Sequence, residues 1–402
     1  MQKKIINAFR STGSLCIVLV VGVLLMSGCE NPGSVGGGLR EDNTEIAIDT
    51  FAVDAINTSQ FNWYSGAYSY FSAGSFNDPL FGSLDAIGML KPRLPVIPDS
   101  IDIGAGTEVK MRIIMNDEQF YGDQTSPQQF EVYPISELWR SKAWKLKDDI
   151  QFDASQKVAE FVVTDEDSLD ITLGSTWVQT YLDFAQDTSA TSDSTYKYEA
   201  YGLAIVPTNT SKVIPINSGS TRFVIETASD TLEASLARWA YSFDRGNSTL
   251  PPSSLPLHST YESVLSFDLN LSEMDIQKVG ISKAELVIYA NTSALQSSLP
   301  ASAERPATSS AQLYIANPEF TPENIAMSDP VSTGTYSEDD NAYHFTITSI
   351  VQRILLDGIA ENQEFYITFS NNGMIRSTLL FDESGPADKA PKLIITSLKN
   401  SN

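Results

Sequence analysis

Tyr261-Glu262-Ser263-Val264-Leu265-Ser266-Phe267-Asp268-Leu269 and Ala284-Glu285-Leu286-Val287-Ile288-Tyr289-Ala290 are short runs rich in branched and aromatic residues. Runs of this length and composition read as strands rather than helices. Ala311 to Ile315, Tyr343 to Ile347, Glu364 to Phe369, Thr378 to Phe381 and Lys392 to Thr396 repeat the pattern, which makes seven strand candidates in about 140 residues. Short strands at regular spacing, with no long helix between them, indicate a β-sandwich. One amphipathic helix interrupts them, Ser349 to Gly358, with Ile350, Val351, Ile354 and Leu355 on one face and Gly358 as its stop. That face is expected to cover an open end of the sandwich.

Upstream, Gly246 to Pro256 holds three prolines, several serines and Asn247, and marks the best internal boundary. Before it lie further strand candidates: Glu45 to Val53, where Ile46, Ile48 and Thr50 alternate with Ala47, Asp49 and Phe51; Glu108 to Met115; Gln129 to Pro134; Tyr201 to Val206; Arg222 to Ile225; and Leu236 to Phe243. Ile135 to Trp139 is expected to start a short helix, and Asp187 to Asp193 to be a connecting loop. Lys91 to Pro98 is proline-rich and reads as extended. Gly74-Ser75-Phe76-Asn77-Asp78-Pro79-Leu80-Phe81-Gly82 carries turn chemistry in Asn77-Asp78-Pro79, with Phe76 and Phe81 available to a core. A lone Asp78 offers too few oxygens for calcium, so a structural corner is expected. Asp165-Glu166-Asp167 lacks the spacing of a calcium loop and reads as a solvated turn. The expected architecture is all-β: two β-sandwich domains, residues 44–250 and 258–400, with short helical inserts.

The chain of 402 residues carries 26 basic and 50 acidic side chains, a net charge of −24. Such a field repels nucleic acid, and no nucleic-acid partner is expected. Acidity here accompanies 5 Trp, 16 Tyr and 19 Phe, so it does not indicate a disordered tail. The only cysteines are Cys16 and Cys29.

Lys3, Lys4 and Arg10 precede an uncharged run, Ser11 to Gly28, with an apolar heart from Leu15 to Met26. Basic head, apolar body and small-residue exit are the parts of a secretory signal, and the core is shorter than the roughly 20 residues needed to span a bilayer. Residues 1–28 are therefore expected to be a signal peptide, and residues 29–43, with Gly36-Gly37-Gly38, a flexible tether. Loss of Lys3, Lys4 and Arg10 with the signal takes the net charge to −27. Leu25-Met26-Ser27-Gly28-Cys29 resembles the lipobox of bacterial lipoproteins. The resemblance implies acylation of Cys29 and makes the lipid bilayer a partner; Met26, where leucine is usual, is a mild departure. Two or more acyl chains would make release from the membrane rare.

The lipobox, the tether, Gly74 to Gly82, Tyr201-Gly202-Leu203-Ala204-Ile205 and Pro391-Lys392-Leu393-Ile394-Ile395 together resemble a widespread family of Bacteroidetes outer-membrane lipoproteins of unassigned function. The likeness covers nearly all of residues 29–400. It implies an outer-membrane or cell-surface setting and a largely β fold, and it transfers no catalytic residues. Residues 258–398 also resemble a jelly-roll-like sandwich found beside polysaccharide-degrading domains, through Ala284-Glu285-Leu286, the helix ending at Gly358, and Pro391-Lys392-Leu393. Asp99-Ser100-Ile101, Asp167-Ser168-Leu169, Asp193-Ser194-Thr195 and Asp230-Thr231-Leu232 look like the short O-glycosylation acceptor motif of that phylum.

No catalytic, cofactor-binding or metal-ligating set stands out. His258 and His344 are the only imidazoles, and the sequence has no Gly-x-Ser-x-Gly elbow, phosphate loop or His-Glu-x-x-His helix. A glycosidase pair of carboxylates is the one hydrolytic arrangement that 50 acids leave open. The expected role is a non-catalytic structural or accessory lipoprotein that docks on an outer-membrane protein. The alternative is glycan binding on an aromatic platform made by Trp63, Tyr64, Tyr68 and Tyr70, with Trp139 and Trp144 as further candidates.

Overall fold

The computed structural model describes residues 44–400 except 99, 105, 188–191, 270, 272–278, 307, 317–327 and 358–363. The expected signal, Cys29 and tether lie outside these residues, as does the expected helix stop at Gly358. What is described is largely β, with a curled, partly closed sheet and a few short helical inserts.

All seven runs that decided the sequence reading are strands, and six of them belong to one nine-stranded antiparallel sheet. Its order is Thr44–Ala52, Lys392–Asn400, Val279–Tyr289, Ala342–Thr346, Ser332–Ser337, Ser310–Ile315, Glu364–Thr368, Ser263–Asp268, Asp54–Gln60. The two edge strands are consecutive in the chain and joined through Val53 alone. A flat sheet of this width would separate its edges by about 38 Å, whereas one residue reaches about 4 Å. The sheet must therefore curl until its edges meet. Inside the curl, alternate positions of each strand form one apolar face: Ala284, Leu286 and Ile288; Phe365, Ile367 and Phe369; Leu393 and Ile395. The helix Thr348–Asp357 adds Ile350, Val351 and Leu355 to this core, as its periodicity predicts.

A second sheet of twelve strands runs Ala303–Glu304, Tyr121–Asp123, Lys212–Asn217, Tyr70–Asp78, Gly82–Pro92, Thr231–Arg245, Arg222–Glu226, Glu108–Ile114, Ser168–Thr172, with Leu203–Pro207, Gln128–Pro134 and Ala159–Val163 branching from Gly82–Pro92. A bridge from Met115 to Ile216 links strands that are not neighbours in this order, so this sheet curls too. Its core gathers Phe71, Leu84, Met111, Phe223 and Ile225, capped by Val178, Tyr181 and Leu182 of the helix Ser175–Gln186. A two-stranded ribbon, Ser254–His258 with Ser377–Phe381, completes the described sheets.

The sheets do not divide the chain at residue 250. Residues 44–60, expected with the first region, form both edges of the sheet built mainly from the second, and Ala303–Glu304 pair with Tyr121–Asp123 of the first. Ile46 and Ile48 face outward at 68 % exposure, while Phe51, on the other face of that edge strand, packs against the core. Ile135 to Trp139 is not helical. Ile135 bridges Phe152, and Ile135 and Trp139 are both buried beside Met89 and Ala204, which holds the segment extended. Sequence reading also missed the helix Ser175–Gln186 and took the start of Ser192–Glu199 for loop.

Candidate functional site

The four rings expected to make a glycan platform do not share an exposed face. Trp63 is only 8 % exposed. Its Nε1 donates to the Tyr68 hydroxyl at 3.2 Å, and its ring meets Tyr261 edge-on. Trp63 and Tyr64 are neighbours, but their planes stand at 73°, so the two cannot stack against one sugar ring. Tyr64 is exposed, while Tyr68 and Tyr70 are half-buried. Trp139 and Trp144 are buried against each other, edge to face. Each large ring gains more from burial than from solvent, which is why the core took them.

The Asn77-Asp78-Pro79 corner is the turn of the hairpin Tyr70–Asp78/Gly82–Pro92, and it points into the seam between the two sheets. Asp78 Oδ1 accepts from the backbone N–H of Leu80 at 2.8 Å and Phe81 at 3.0 Å, which tightens the corner. Arg305 reaches it with both arms, Nε to Oδ2 and Nη2 to Oδ1, each at 2.7 Å. The Tyr121 hydroxyl donates to Oδ2 at 2.7 Å. Burial alone would raise the Asp78 pKa. The guanidinium, aided by Tyr121 and the Phe81 N–H, outweighs it and holds the carboxyl below its ordinary range. Both carboxylate oxygens thus face a fixed cation, which disfavours a metal there. Arg305 also donates to Leu295 O and Ser298 Oγ, so one side chain ties the corner to the end of the helix Thr292–Ser298.

His258 and Glu262 are also committed to the seam. His258 Nδ1 pairs with Ser377 Oγ at 2.9 Å, and Phe81 stands edge-on to its ring. Burial and the nearby Arg245 charge push its pKa down to about 3, so the ring is neutral. Glu262 is bound by the Arg245 guanidinium and accepts from Thr260 Oγ1; burial opposes its charge, but Arg245 more than offsets this and lowers the pKa to about 2. His344 lies apart, on the strand Ala342–Thr346, with Nε2 3.0 Å from Asp340 and Nδ1 3.5 Å from Glu285. Among the described residues no three His, Cys, Asp or Glu side chains are placed to hold one metal ion. A cavity of about 450 Å³ opens beside Arg305, walled mainly by Leu295, Leu299, Pro306 and Tyr336, with the Thr308 and Tyr343 hydroxyls bonded to each other at 2.6 Å.

The second large depression is of opposite character. About 470 Å³ in volume, it is lined by Ala67, Leu138, Ser141, Ala237, Tyr198 and Trp239 together with Arg140, Lys142, Lys197 and Arg238. A shallower hollow of about 290 Å³ adjoins it, sharing Lys197, Ala237 and Arg238 and adding Lys91 and Arg93. Among the described residues neither lining contains an acid. Four separate segments supply the cations. The strand Thr231–Arg245 brings Arg238 directly opposite Lys91, next to a register shift at Ala237. Arg238 Nη1 donates to Trp139 O, and Ser141 Oγ to Trp239 O, so the 138–142 loop is clamped to that strand. Trp239 Nε1 donates to Tyr68 O at 2.6 Å and fixes the indole in the floor. The last turn of Ser192–Glu199 supplies Lys197 and Tyr198. With Lys91, Arg140, Lys197 and Arg238 so far apart in the chain, no local signal could gather them.

Ser100, Ser168, Ser194 and Thr231, the hydroxyl residues of the four Asp-Ser/Thr motifs, are all exposed. No family model matches the chain, and no curated protein does. Among solved structures, the collagen adhesin of S. aureus aligns over 82 % of this chain and 81 % of its own at 8 % identity and a TM-score of 0.15. The Macrobrachium rosenbergii nodavirus structure aligns over 89 % and 90 % at 10 % identity and a TM-score of 0.13.

Proposed function

We propose that the protein is a non-catalytic component of the bacterial outer envelope. It is held to the outer membrane by lipid on Cys29 and acts through the surface of two jelly-roll-like sandwiches. The observation that carries the non-catalytic reading is the use made of the buried titratable side chains in the seam between the sheets. Asp78, Glu262 and His258 are spent on internal pairs with Arg305, Arg245 and Ser377, with their titration pushed away from neutral pH rather than toward it. A general acid or base works best with a pKa near the operating pH. The lipobox at Cys29 supports the anchor.

Mass spectrometry of the mature protein from native membranes tests the anchor. The expected species begins at Cys29 and carries acyl chains, and Cys29→Ala shifts the protein from the detergent phase to the aqueous phase. Recovery of an unmodified Cys29 thiol on protein free in the medium would overturn the location and the membrane partner together. An accessory role on an outer-membrane protein and a glycan-binding role both follow from such a placement. The cation-lined groove beside Trp239 and Tyr198 favours the second, in place of the Trp63–Tyr70 platform.

A further inference from the structure

We propose that the groove between the 138–142 loop, the end of the helix Ser192–Glu199 and Trp239 binds an acidic glycan, a chain of sugars bearing carboxylate or sulfate groups. Arg140, Lys142, Lys197 and Arg238 hold the anions, and Tyr198 and Trp239 give a sugar ring its apolar bed. The proposal rests on the glycan-binding reading above and is independent of the lipid anchor.

Three observations carry it. The first is concentration of charge: in a chain of net charge −24 with 26 basic residues, six of those residues line two adjoining hollows that hold no acid. Among the described residues Arg140, Lys142, Lys197 and Arg238 take part in no ion pair. Glu137 and Glu199, their neighbours in sequence, are exposed and line neither hollow. The second is a like-charge pair built into the sheet. Lys91 and Arg238 are cross-strand partners, an arrangement that is unfavourable unless something offsets it. Lys91 is 2 % exposed and donates to the carbonyls of Tyr196 and Ala200; burial, with Arg238 adding to it, lowers its pKa to about 8. An anion over Arg238 would relieve both residues. The third is the apolar floor. Tyr198 is 54 % exposed and Leu138 46 %, while Trp239 is half-buried with its nitrogen already bonded, leaving ring surface rather than a polar edge.

The same features argue against other anions. Nucleic acid carries a charge every ~1.7 Å of duplex and would extend past four cations onto acidic surface. An acidic glycan with one carboxylate per sugar, such as polygalacturonate, spaces its charges more widely, so fewer of them fall beyond the four cations. A folded protein partner covers roughly 20–30 residues a side, and ten residues line this depression.

The test is calorimetric titration of the purified full-length protein in neutral detergent. The probes are polygalacturonate and heparin as carboxylated and sulfated glycans, dextran as a neutral one, and polyglutamate and oligo-dT as non-sugar polyanions. One acidic glycan is expected to saturate the protein, weakening about tenfold between roughly 50 and 500 mM salt. Arg140→Glu with Lys142→Glu, both exposed positions, is expected to lower affinity at least about tenfold. Tyr198→Ala is expected to lower it about fivefold for the glycan and to leave any polyglutamate signal unchanged. Equal binding of polyglutamate or oligo-dT, with Tyr198→Ala silent, would overturn the proposal in favour of a bare anion surface. Salt-independent binding of dextran would overturn the acidic specificity but keep the glycan-binding reading. No binding of any sugar would sink both, and the acylation of Cys29 would stand or fall separately by its own mass measurement.

Discussion

Replacing Arg305 by Met removes the one cation that, among the described residues, pairs with the Asp78 carboxylate. The Asp78 side chain is 0 % exposed and that of Arg305 6 %. Removing one partner of a buried ion pair typically destabilises by about 3–5 kcal/mol, because the survivor keeps its desolvation penalty. Asp78 retains the Tyr121 hydroxyl and two N–H donors, which places the loss near the lower half of that range. At roughly 2 °C per kcal/mol for a chain of this size, the melting temperature falls by about 5–10 °C. The pH dependence is the sharper readout. In the wild type the folded pKa of Asp78 is depressed, so its contribution is complete above the unfolded value near 3.9 and is lost as pH falls through the folded value. Without Arg305, burial dominates and the folded pKa rises above the unfolded one, so the penalty is present at neutral pH and relieved on acidification. Urea midpoints of wild type and variant from pH 7 to pH 4 should therefore converge. A variant within about 1 kcal/mol of wild type at pH 7, or a gap that stays constant with pH, would refute the claim that Arg305 neutralises Asp78.

Three further outcomes follow from the same geometry. His258 is neutral with a folded pKa of about 3, below the ordinary 6.5, so its contribution is present above pH 6.5 and erodes as pH falls; Glu262, at about 2 against 4.5, adds a second loss below pH 4.5. Denaturation series should show His258→Gln flattening the first step and leaving the second. Gly373 has φ +93, and a Cβ there would lie 1.9 Å from Tyr70 O, so Gly373→Ala should cost on the order of 3 kcal/mol or more by chemical denaturation. Gly106, at φ +123 with nothing within 4 Å, has the backbone strain without the clash and should lose less, on the order of 1–3 kcal/mol on the same change. Trp63→Ala should destabilise by about 3–5 kcal/mol, as a core truncation does, while Tyr64→Ala stays within about 0.5 kcal/mol. Equal effects at the two positions would mean that the burial of Trp63 is misplaced.

Most strands of the second half were legible because each is a short apolar run, so local composition and final burial agree, whereas the polar Ser332–Ser337, between Ala342–Thr346 and Ser310–Ile315, carries no such signal. The helix Ser175–Gln186 carried a usable signal, Val178, Tyr181 and Leu182 at three- and four-residue spacing. The polar residues around it, among them Thr176, Gln179, Thr180 and Asp183, mask that stripe. The edge strand Thr44–Ala52 misleads in the other direction: its alternation is real, but Ile46 and Ile48 end on the solvent side. What no window of sequence contains is the pairing of Thr44–Ala52 with Lys392–Asn400, or the meeting of Asp78 with Arg305 across 227 positions. Period and propensity are short-range quantities, whereas these contacts depend on how segments far apart in the chain are brought together, within one sheet in the first case and across the seam in the second. The basic groove escaped for the same reason.

The seam also shows what sets that arrangement. Each sheet has its own apolar core, and burial of oily surface is non-directional, so it presses the sheets together without choosing one register. The contacts that cross between the halves of the chain are directional instead. Tyr70 N–H donates to Asn372 O, Ser72 Oγ to Gly373 O, Arg305 to Asp78, and Arg245 to Glu262 just ahead of the strand Ser263–Asp268. An unmade buried polar contact is penalised far more than a made one is rewarded, so a shifted docking that kept the oily surfaces covered would still strand several of these groups. On this reasoning the buried charges act chiefly on which arrangement forms. Arg305→Met should then broaden the seam before it unfolds the sheets, with amide exchange rising first at Leu80, Phe81 and Tyr70 and last at Leu286 and Leu393 inside the nine-stranded sheet. Uniform acceleration across both sets of amides would show that Arg305 supports global stability alone and carries no part of the choice of register.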